Sequence, residues 1–196
     1  MHPSSPPLIL ASRSPYRRQL LQRLTNAFEC LPADIDEQPR EGETPARLAA
    51  RLAAEKAEKL AAQHPGAIVV GSDQVAALGD SALGKPGTPE RAAEQLAACA
   101  GREVVFYTAV AVIRTDPGFR EQHTDITRVQ FRNLTAPEIN AYLTADQPWD
   151  CAGSFRSEGL GAVLFESIHN RDPAAIIGLP LIWLAGSLRR AGLQLL

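Results

Sequence analysis

Hydrophobic and polar positions along the first half of the chain predict strands that alternate with helices. Short apolar runs predict strands over Leu8–Ala11 and Phe28–Leu31, and an apolar run rich in β-branched residues predicts a buried strand over Ala67–Val75. Apolar residues at spacings of three and four predict helices from Tyr16 to about residue 24, from residue 45 to about residue 63, and from residue 89 to about residue 100. Each of these helices is preceded by a capping serine or threonine followed by proline: Ser14-Pro15, Thr44-Pro45 and Thr88-Pro89.

The second half of the chain predicts an antiparallel pair of strands followed by shorter elements. Val104–Ile113 and Thr124–Arg132 are expected to pair through a turn at Asp116-Pro117-Gly118. A capping box at Thr135 opens a short helix, Ala162–Phe165 predicts a strand, and a last helix runs from Pro180 to about residue 191. Because there is no repeat or linker, we predict one domain over residues 1–196, with an α/β fold and a mixed central sheet flanked by helices.

Composition excludes several classes of protein. Lys and Arg (20) nearly balance Asp and Glu (22) among 196 residues, so no overall field favours nucleic acid or an anionic membrane. The three cysteines are widely spaced and lack a CxxC pair, so neither a disulfide framework nor a zinc site is indicated. The first ten residues lack the basic region of a signal peptide, and no apolar run is long enough to span a bilayer. These features predict a cytoplasmic protein.

Cations occur where predicted elements begin or end, which indicates a local anion site. Arg17 and Arg18 fall in the first turn of a helix that follows Ser12 and Ser14, and a helix N-terminus attracts anions. Lys56 lies within the apolar stripe of the second helix, where an ammonium either reaches the rim or meets a buried anion; we favour the latter. Two further cations stand on turns or glycine-rich segments: Lys85 in Gly84-Lys85-Pro86, and Arg156.

Carboxylates complete the candidate chemistry. Asp73 follows a buried apolar run, where it either ends the strand and caps a turn or faces a ligand crevice. Glu37 belongs to an acidic run that is either solvated or suited to a hard divalent cation such as Mg²⁺. Together with the cations, these groups favour phosphate-ester or anhydride chemistry, in which a metal ion at Glu37 and Asp73 bridges phosphates and a carboxylate activates water. A Ser-His-Asp order, a GxGxxG fingerprint and a P-loop are all absent from the sequence.

Eight segments, taken in order, resemble the Maf family of nucleoside triphosphate pyrophosphatases. They are LILASRSPYRRQLL, the pair Asp36-Glu37, EKA at Glu55–Ala57, GSDQV, GKP, FYT at Phe106–Thr108, CAGSFRSEG and IIGLPL. The resemblance covers roughly Leu8 to Leu188, and Arg13 departs from the small residue common at its position. It implies a fold like that of inosine-triphosphate pyrophosphatases, with two lobes, a cleft between them, and often a homodimer.

The resemblance also implies roles for individual residues. Asp73 matches the proton acceptor that activates water, and Glu37 matches an acidic position that acts through a divalent metal (Mg, Mn or Co). The matches to positions that bind or orient the triphosphate are Ser12, Arg17, Lys56 and Lys85.

Three positions, Tyr16, Gln74 and Glu158, resemble the branch of the family that acts on 7-methyl-GTP. A carboxylate can accept from the N1–H and exocyclic amine of guanine, whereas uracil and thymine offer one N–H beside two carbonyls. N7-methylation makes the base cationic, so a facing aromatic ring gains about 0.5–2 kcal/mol of cation–π attraction. The alternatives are a pyrophosphatase of another modified or plain nucleotide, and a non-catalytic nucleotide-binding regulator of cell division. A generic phosphatase is disfavoured because no DxD pair follows the strand.

Overall fold

A computed structural model describes residues 5–196 and shows one mixed seven-stranded sheet with helices on both faces. The strands are β1 Leu8–Ala11, β2 Glu29–Cys30, β3 Ile68–Leu78, β4 Ser81–Leu83, β5 Glu103–Arg114, β6 Phe119–Phe131 and β7 Phe165–His169. The helices are α1 Pro15–Gln22, α2 Pro45–Gln63, α3 Pro89–Cys99, α4 Ala136–Asp146 and α5 Leu181–Arg190. The sheet order is β2-β1-β3-β5-β6-β7, with β4 also paired to β3.

Strand β3 has both parallel and antiparallel neighbours. The strand β1 pairs in parallel with both β2 and β3, and its pairing with β3 ends at Gly71. Beyond Gly71, β3 continues between the antiparallel neighbours β4 and β5. Asp73 therefore lies within a long strand rather than at its end, but just past the last parallel pair. The mixed α/β sheet predicted from the sequence is confirmed.

Helix α2 covers one face of the sheet through close contact with β3. A Cβ atom at Gly71 would lie 2.2 Å from the Ala53 carbonyl oxygen and 2.7 Å from the Ala57 nitrogen, so only glycine permits this approach. Lys56 is on the same stretch of α2, and Asp73 is two residues beyond Gly71 on the same face of β3. The glycine thus determines how closely these two side chains can approach.

The opposite face carries two apolar clusters separated by polar residues. One cluster contains Ile68 and Val70 of β3 with residues of α1 and α5, and the other contains Ala76 of β3 with residues of α3 and α4. Ser72 and Gln74 lie between them on β3, and Gln74 pairs in register with Thr108 of β5. Gln74 lines the cavity described below, and so does Asp73 from the α2 face of the same strand.

The prediction of a strand at Ala162–Phe165 is wrong. Residues Leu160–Leu164 form a short 3₁₀ turn, and β7 begins at Phe165, where it pairs with Phe131. Leu164 packs into the α3–α4 cluster, whereas Ala162 and Val163 are both exposed, so this apolar run does not alternate as a strand would. The structure also adds three elements, β4 and the 3₁₀ turns at Ala152–Ser154 and Ala175–Ile177.

Within residues 5–196, no helix is long and apolar enough to cross a membrane. The stretch on which the absence of a signal peptide was predicted lies partly outside the described residues. The division into two lobes stays a prediction.

Candidate active site

The structure brings all nine predicted site residues to one open cavity of about 820 Å³. They come from the β1–α1 turn, α1, the β2–α2 loop, α2, β3, the β4–α3 turn and the loop after α4. The residues are Ser12, Tyr16, Arg17, Glu37, Lys56, Asp73, Gln74, Lys85 and Glu158. Their location in one cavity is a structural finding, whereas their individual roles stay predictions.

A buried ammonium group joins two carboxylates at the centre of this cavity. Lys56 Nζ lies 2.7 Å from Asp73 Oδ1 and 2.6 Å from Glu37 Oε1. The Lys56 and Asp73 side chains are both almost fully buried, whereas that of Glu37 is largely exposed. Lys56 therefore meets a buried anion, as its place in the apolar stripe predicted, and that anion is the candidate general base.

The electrostatic field around Glu37 favours its ionised form. Burial by itself would raise the pKa of Glu37, but the hydrogen bond from Lys56 and the charges of Lys56, Lys85 and Arg17 together lower it below its ordinary value. An ionised carboxylate beside three cations can take part in binding a metal ion or in orienting a charged ligand.

The N-terminus of α1 is built by two serines and opens onto the cavity. Ser14 caps the helix by accepting from the Arg17 backbone nitrogen at 3.3 Å, and Ser12 Oγ accepts from the Ser14 nitrogen at 3.1 Å. Arg17 Nε donates to the Gly178 carbonyl at 3.0 Å. Burial lowers the pKa of Arg17, and the charges of Asp73 and Glu37 oppose that effect. One edge of the Arg17 guanidinium is thus fixed by the backbone, close to the two carboxylates.

Tyr16 faces the loop that follows α4. Burial raises the pKa of Tyr16, the nearby Cys151, Asp150 and Glu158 raise it further, and Arg156 opposes them. The phenol is therefore protonated at neutral pH and stands beside the exposed Glu158 carboxylate. This end of the cavity combines an aromatic ring with acidic groups.

Gln74 contacts the segment between β7 and α5. Its Nε2 lies 2.9 Å from Thr108 Oγ1 and 3.0 Å from each of the Ala175 and Ile176 carbonyl oxygens. The amide nitrogen is thus engaged by the protein, which leaves the carbonyl oxygen as the group of Gln74 that can meet a ligand.

Two predicted members of the cation cluster are placed differently. Arg18 is exposed and does not line the cavity. Arg156 lines it at the Tyr16 end, where Nη2 donates to the Gln147 carbonyl at 3.2 Å and lies 3.6 Å from Asp150 Oδ1. Neither arginine joins Lys56, because α1 turns Arg18 outward and the post-α4 loop holds Arg156 back.

Sequence reasoning missed the segment at Ala175–Gly178, which connects several site residues. Ser72 Oγ donates to the Gly178 carbonyl at 3.0 Å, and Thr108 Oγ1 donates to the Ala175 carbonyl at 2.9 Å. Gly178 has φ +129°, a conformation that side chains rarely adopt. Thr108 and Gly178 fall in the FYT and IIGLPL motifs. The acceptors on the segment are backbone carbonyls, however, and every residue type has one, so the sequence does not indicate these contacts.

The residues of the cavity fit a divalent cation that is completed by phosphate oxygens. No group of three or more His, Cys, Asp or Glu side chains that could hold a metal ion is found within residues 5–196. Glu37 and Asp73 both contact Lys56 Nζ, so two carboxylates converge on one point of the cavity. One or two carboxylates with substrate phosphates is the donor set that Mg²⁺ commonly uses.

A solved structure of another protein has a fold similar to that of this chain. The HAM1 protein from Coxiella burnetii superposes with a TM-score of 0.53 at 17% identity, covering 93% of this chain and 98% of that one. At this identity the likeness concerns the fold alone, and it agrees with the mixed α/β architecture described above.

Sequence comparison then gives the family. The sequence model of the protein family described as Maf-like protein matches residues 7–191. The chain is 55% identical to the 7-methyl-GTP pyrophosphatase of Polaromonas sp. (strain JS666 / ATCC BAA-500), over 98% of this chain and 88% of the relative. It is 56% identical to the 7-methyl-GTP pyrophosphatase of Xanthomonas oryzae pv. oryzae (strain MAFF 311018), over 97% and 99% respectively. The chain belongs to the Maf family.

Proposed function

We propose that this protein hydrolyses 7-methyl-GTP to 7-methyl-GMP and diphosphate. The observation that carries the proposal is a single cavity with a carboxylate–ammonium centre around Asp73 and an aromatic, acidic surface at Tyr16 and Glu158. The names of the relatives, 52–56% identical over at least 96% of the chain, support the same substrate.

In the proposed reaction Asp73 acts as the general base. Its carboxylate takes a proton from a water molecule, and the water oxygen bonds to the α-phosphorus. The bond between the α-phosphorus and the oxygen that bridges to the β-phosphate breaks, and diphosphate leaves with that oxygen. Lys56 holds Asp73 Oδ1 at 2.7 Å and so fixes the orientation of the carboxylate. Ser12, Arg17 and Lys85 line the same cavity and would bind the phosphates.

We further propose that a divalent cation, Mg²⁺, Mn²⁺ or Co²⁺, is held by Glu37 and Asp73. When bound, such an ion supplies neutralisation of the charge on the phosphate oxygens. Lys56 and Arg17 share that task through their own positive charges.

Base selection would depend on Tyr16, Gln74 and Glu158. The Tyr16 ring attracts a cationic methylated base, and the Glu158 carboxylate accepts from guanine N–H groups but repels the carbonyls of uracil and thymine. The Gln74 carbonyl oxygen can accept one further hydrogen bond. We also propose that the enzyme is cytoplasmic and forms a homodimer. Sedimentation of the purified protein would test the homodimer.

The first experiment measures diphosphate release from 7-methyl-GTP, GTP, ATP, UTP and dTTP with each of the three metals and with EDTA. We expect fastest release from 7-methyl-GTP and none with EDTA. Saturable binding without turnover would instead favour a nucleotide-binding regulator, and a preference for another nucleotide would overturn the assignment of the substrate.

The second experiment replaces the base. Asp73→Asn should lower kcat by about 10²–10⁴-fold, the usual contribution of a general base. Asp80→Asn, which changes an exposed carboxylate in the β3–β4 turn, is the matched control and should keep wild-type turnover. Circular dichroism checks that both variants fold, and a folded Asp73→Asn enzyme with full activity would remove Asp73 from the mechanism.

A further inference from the structure

The C-terminal turn of α4 contacts the loop that carries Glu158. Tyr142 of α4 is 4% exposed, and its hydroxyl donates to Asp146 Oδ2 at 2.8 Å. The same hydroxyl accepts from the Arg156 backbone nitrogen at 3.1 Å. One buried oxygen atom therefore connects the helix to the start of the loop.

Asp146 contacts the same loop at a second point. A Cβ atom at Gly159 would lie 2.7 Å from Asp146 Oδ1, so the carboxylate packs directly against the loop backbone. Burial and the hydrogen bond to Asp146 both raise the pKa of Tyr142, so its hydroxyl remains a donor at neutral pH. The Tyr142–Asp146 pair thus contacts the loop on both sides of Glu158.

The loop itself is a closed turn with Glu158 near its tip. The Gly159 and Gly161 nitrogens donate to the Arg156 carbonyl at 3.3 Å and 3.0 Å. Among residues 5–196, the polar contact recorded for the Glu158 side chain is with its neighbour Ser157, whose Oγ lies 3.0 Å from Oε2. The position of the Glu158 carboxylate therefore depends on the turn and on what holds the turn.

We propose that Tyr142 and Asp146 are positioning residues that determine base specificity through Glu158. Neither residue lines the cavity, so they act without touching the nucleotide. The inference rests on the proposed function, because it assumes that Glu158 contacts the base.

The kinetic test replaces the hydroxyl by Tyr142→Phe, with Tyr107→Phe as the control. Tyr107 is a partly buried tyrosine of β5 outside the cavity, and its hydroxyl has no hydrogen bond recorded within residues 5–196. Tyr142→Phe removes both hydrogen bonds of the hydroxyl and should raise KM for 7-methyl-GTP about three- to tenfold, the effect of losing one hydrogen bond between Glu158 and the base, with kcat within about twofold. Tyr107→Phe should keep both constants.

A double-mutant cycle separates positioning from general destabilisation. If Tyr142 acts through Glu158, the double variant Tyr142→Phe/Glu158→Gln should match Glu158→Gln alone. Asp146→Asn keeps an acceptor for the Tyr142 hydroxyl and should stay near wild type, whereas Asp146→Ala should behave like Tyr142→Phe. Additive losses in the double variant, or an equal loss for every nucleotide tested, would overturn the proposal.

Hydrogen exchange tests the positioning without any nucleotide. Backbone amides of residues 156–161 should exchange faster in Tyr142→Phe than in wild type or Tyr107→Phe, with no change in α2 or β3. Unchanged exchange in this loop would refute the positioning role. A wild-type enzyme that ignores 7-methyl-GTP but shows the expected exchange would refute the proposed substrate and retain the Tyr142–Asp146 contact.

Discussion

At the scale of single residues, Lys56 is the group on which the centre of the cavity depends. Its side chain is 9% exposed and that of Asp73 is 11% exposed, so the pair is largely removed from water. Burying a charge costs several kcal/mol unless a partner is present, and here each charge is the partner of the other. Loss of Lys56 leaves the buried Asp73 carboxylate without this cation, whereas loss of Asp73 leaves Lys56 its contact with Glu37.

Replacing Lys56 by methionine should therefore destabilise the protein. We expect the free energy of unfolding to fall by about 3 kcal/mol, because Asp73 keeps a buried charge without its cation. Urea unfolding at pH 7 measures the change. Lys59→Met is the control: Lys59 is exposed on the same helix and contacts the Asp34 carbonyl, so its removal should cost at most about 0.5 kcal/mol.

The double variant Lys56→Met/Asp73→Asn gives a sharper test of the same pair. Removing both charges eliminates the uncompensated carboxylate, so this variant should be more stable than Lys56→Met alone. If the two losses simply add, the ion pair is not the source of the destabilisation.

At the scale of elements, the loop that carries Glu37 is attached to α2 by Arg51. Arg51 Nη2 donates to the Gln38 carbonyl at 2.9 Å, next to Glu37, and Arg51 Nε lies 2.7 Å from Glu43 Oε1. The hydrogen bond from Arg51, followed by one from the Arg40 nitrogen, lowers the pKa of Glu43 from 4.5 to about 2. Ionised Glu43 thus keeps Arg51 oriented, and Arg51 keeps the Glu37 loop against the helix.

This pair makes stability depend on pH in a defined direction. Because the pKa of Glu43 is lowered in the folded state, its contribution to stability is present above pH 4.5 and is lost as the pH falls towards 2. Glu43→Gln should therefore be less stable than wild type at pH 7, and the difference should shrink between pH 4.5 and 2. Urea unfolding across that range measures it.

The control for this pH dependence is Glu41→Gln in the same loop. Glu41 is exposed and has no ion pair recorded within residues 5–196, so its removal should leave the pH profile close to wild type. A difference between wild type and Glu43→Gln that is constant with pH would contradict the role of the carboxylate.

The elements that sequence predicted well are those whose signals are local. At Thr44 the side-chain oxygen accepts from the Arg47 nitrogen three residues on, so the cap and the helix start are encoded together. The signals are not local in the segment Leu160–His169. There β7 forms because Phe165 finds an edge position beside Phe131, a distant partner that no pattern in FESIH reveals.

At the scale of the whole molecule, the cavity is lined by side chains from both faces of β3, with Asp73 and Val75 on the α2 side and Gln74 on the other. The resemblance to a family indicated which residues would gather there, and the structure brings all nine together. The direction of Arg156 could not be predicted, because it depends on the Gln147 carbonyl at the end of α4. The contacts of Gln74 were equally hidden, since they involve backbone oxygens of a segment far along the chain.

Binding of the proposed substrate should stabilise the whole fold. A ligand at 100 times its Kd contributes about 2.7 kcal/mol, which for a chain of this size corresponds to a rise in Tm of about 5–10 °C. The Asp73→Asn variant avoids turnover and allows 7-methyl-GTP to be titrated during thermal unfolding. UTP at equal concentrations should raise Tm less, and an equal rise with both nucleotides would contradict selection by Tyr16 and Glu158.

The Ala175–Gly178 segment has a consequence for how a nucleotide is recognised. Gln74, at the proposed base end, contacts the Ala175 and Ile176 carbonyls, and Arg17, at the proposed phosphate end, donates to Gly178. Binding at one end of the cavity that restricts the motion of this segment reduces the entropy that binding at the other end must still remove. The affinities for a nucleoside and for a phosphate chain are then not independent quantities, and discrimination between bases should extend to the rate at which the distant anhydride bond is broken.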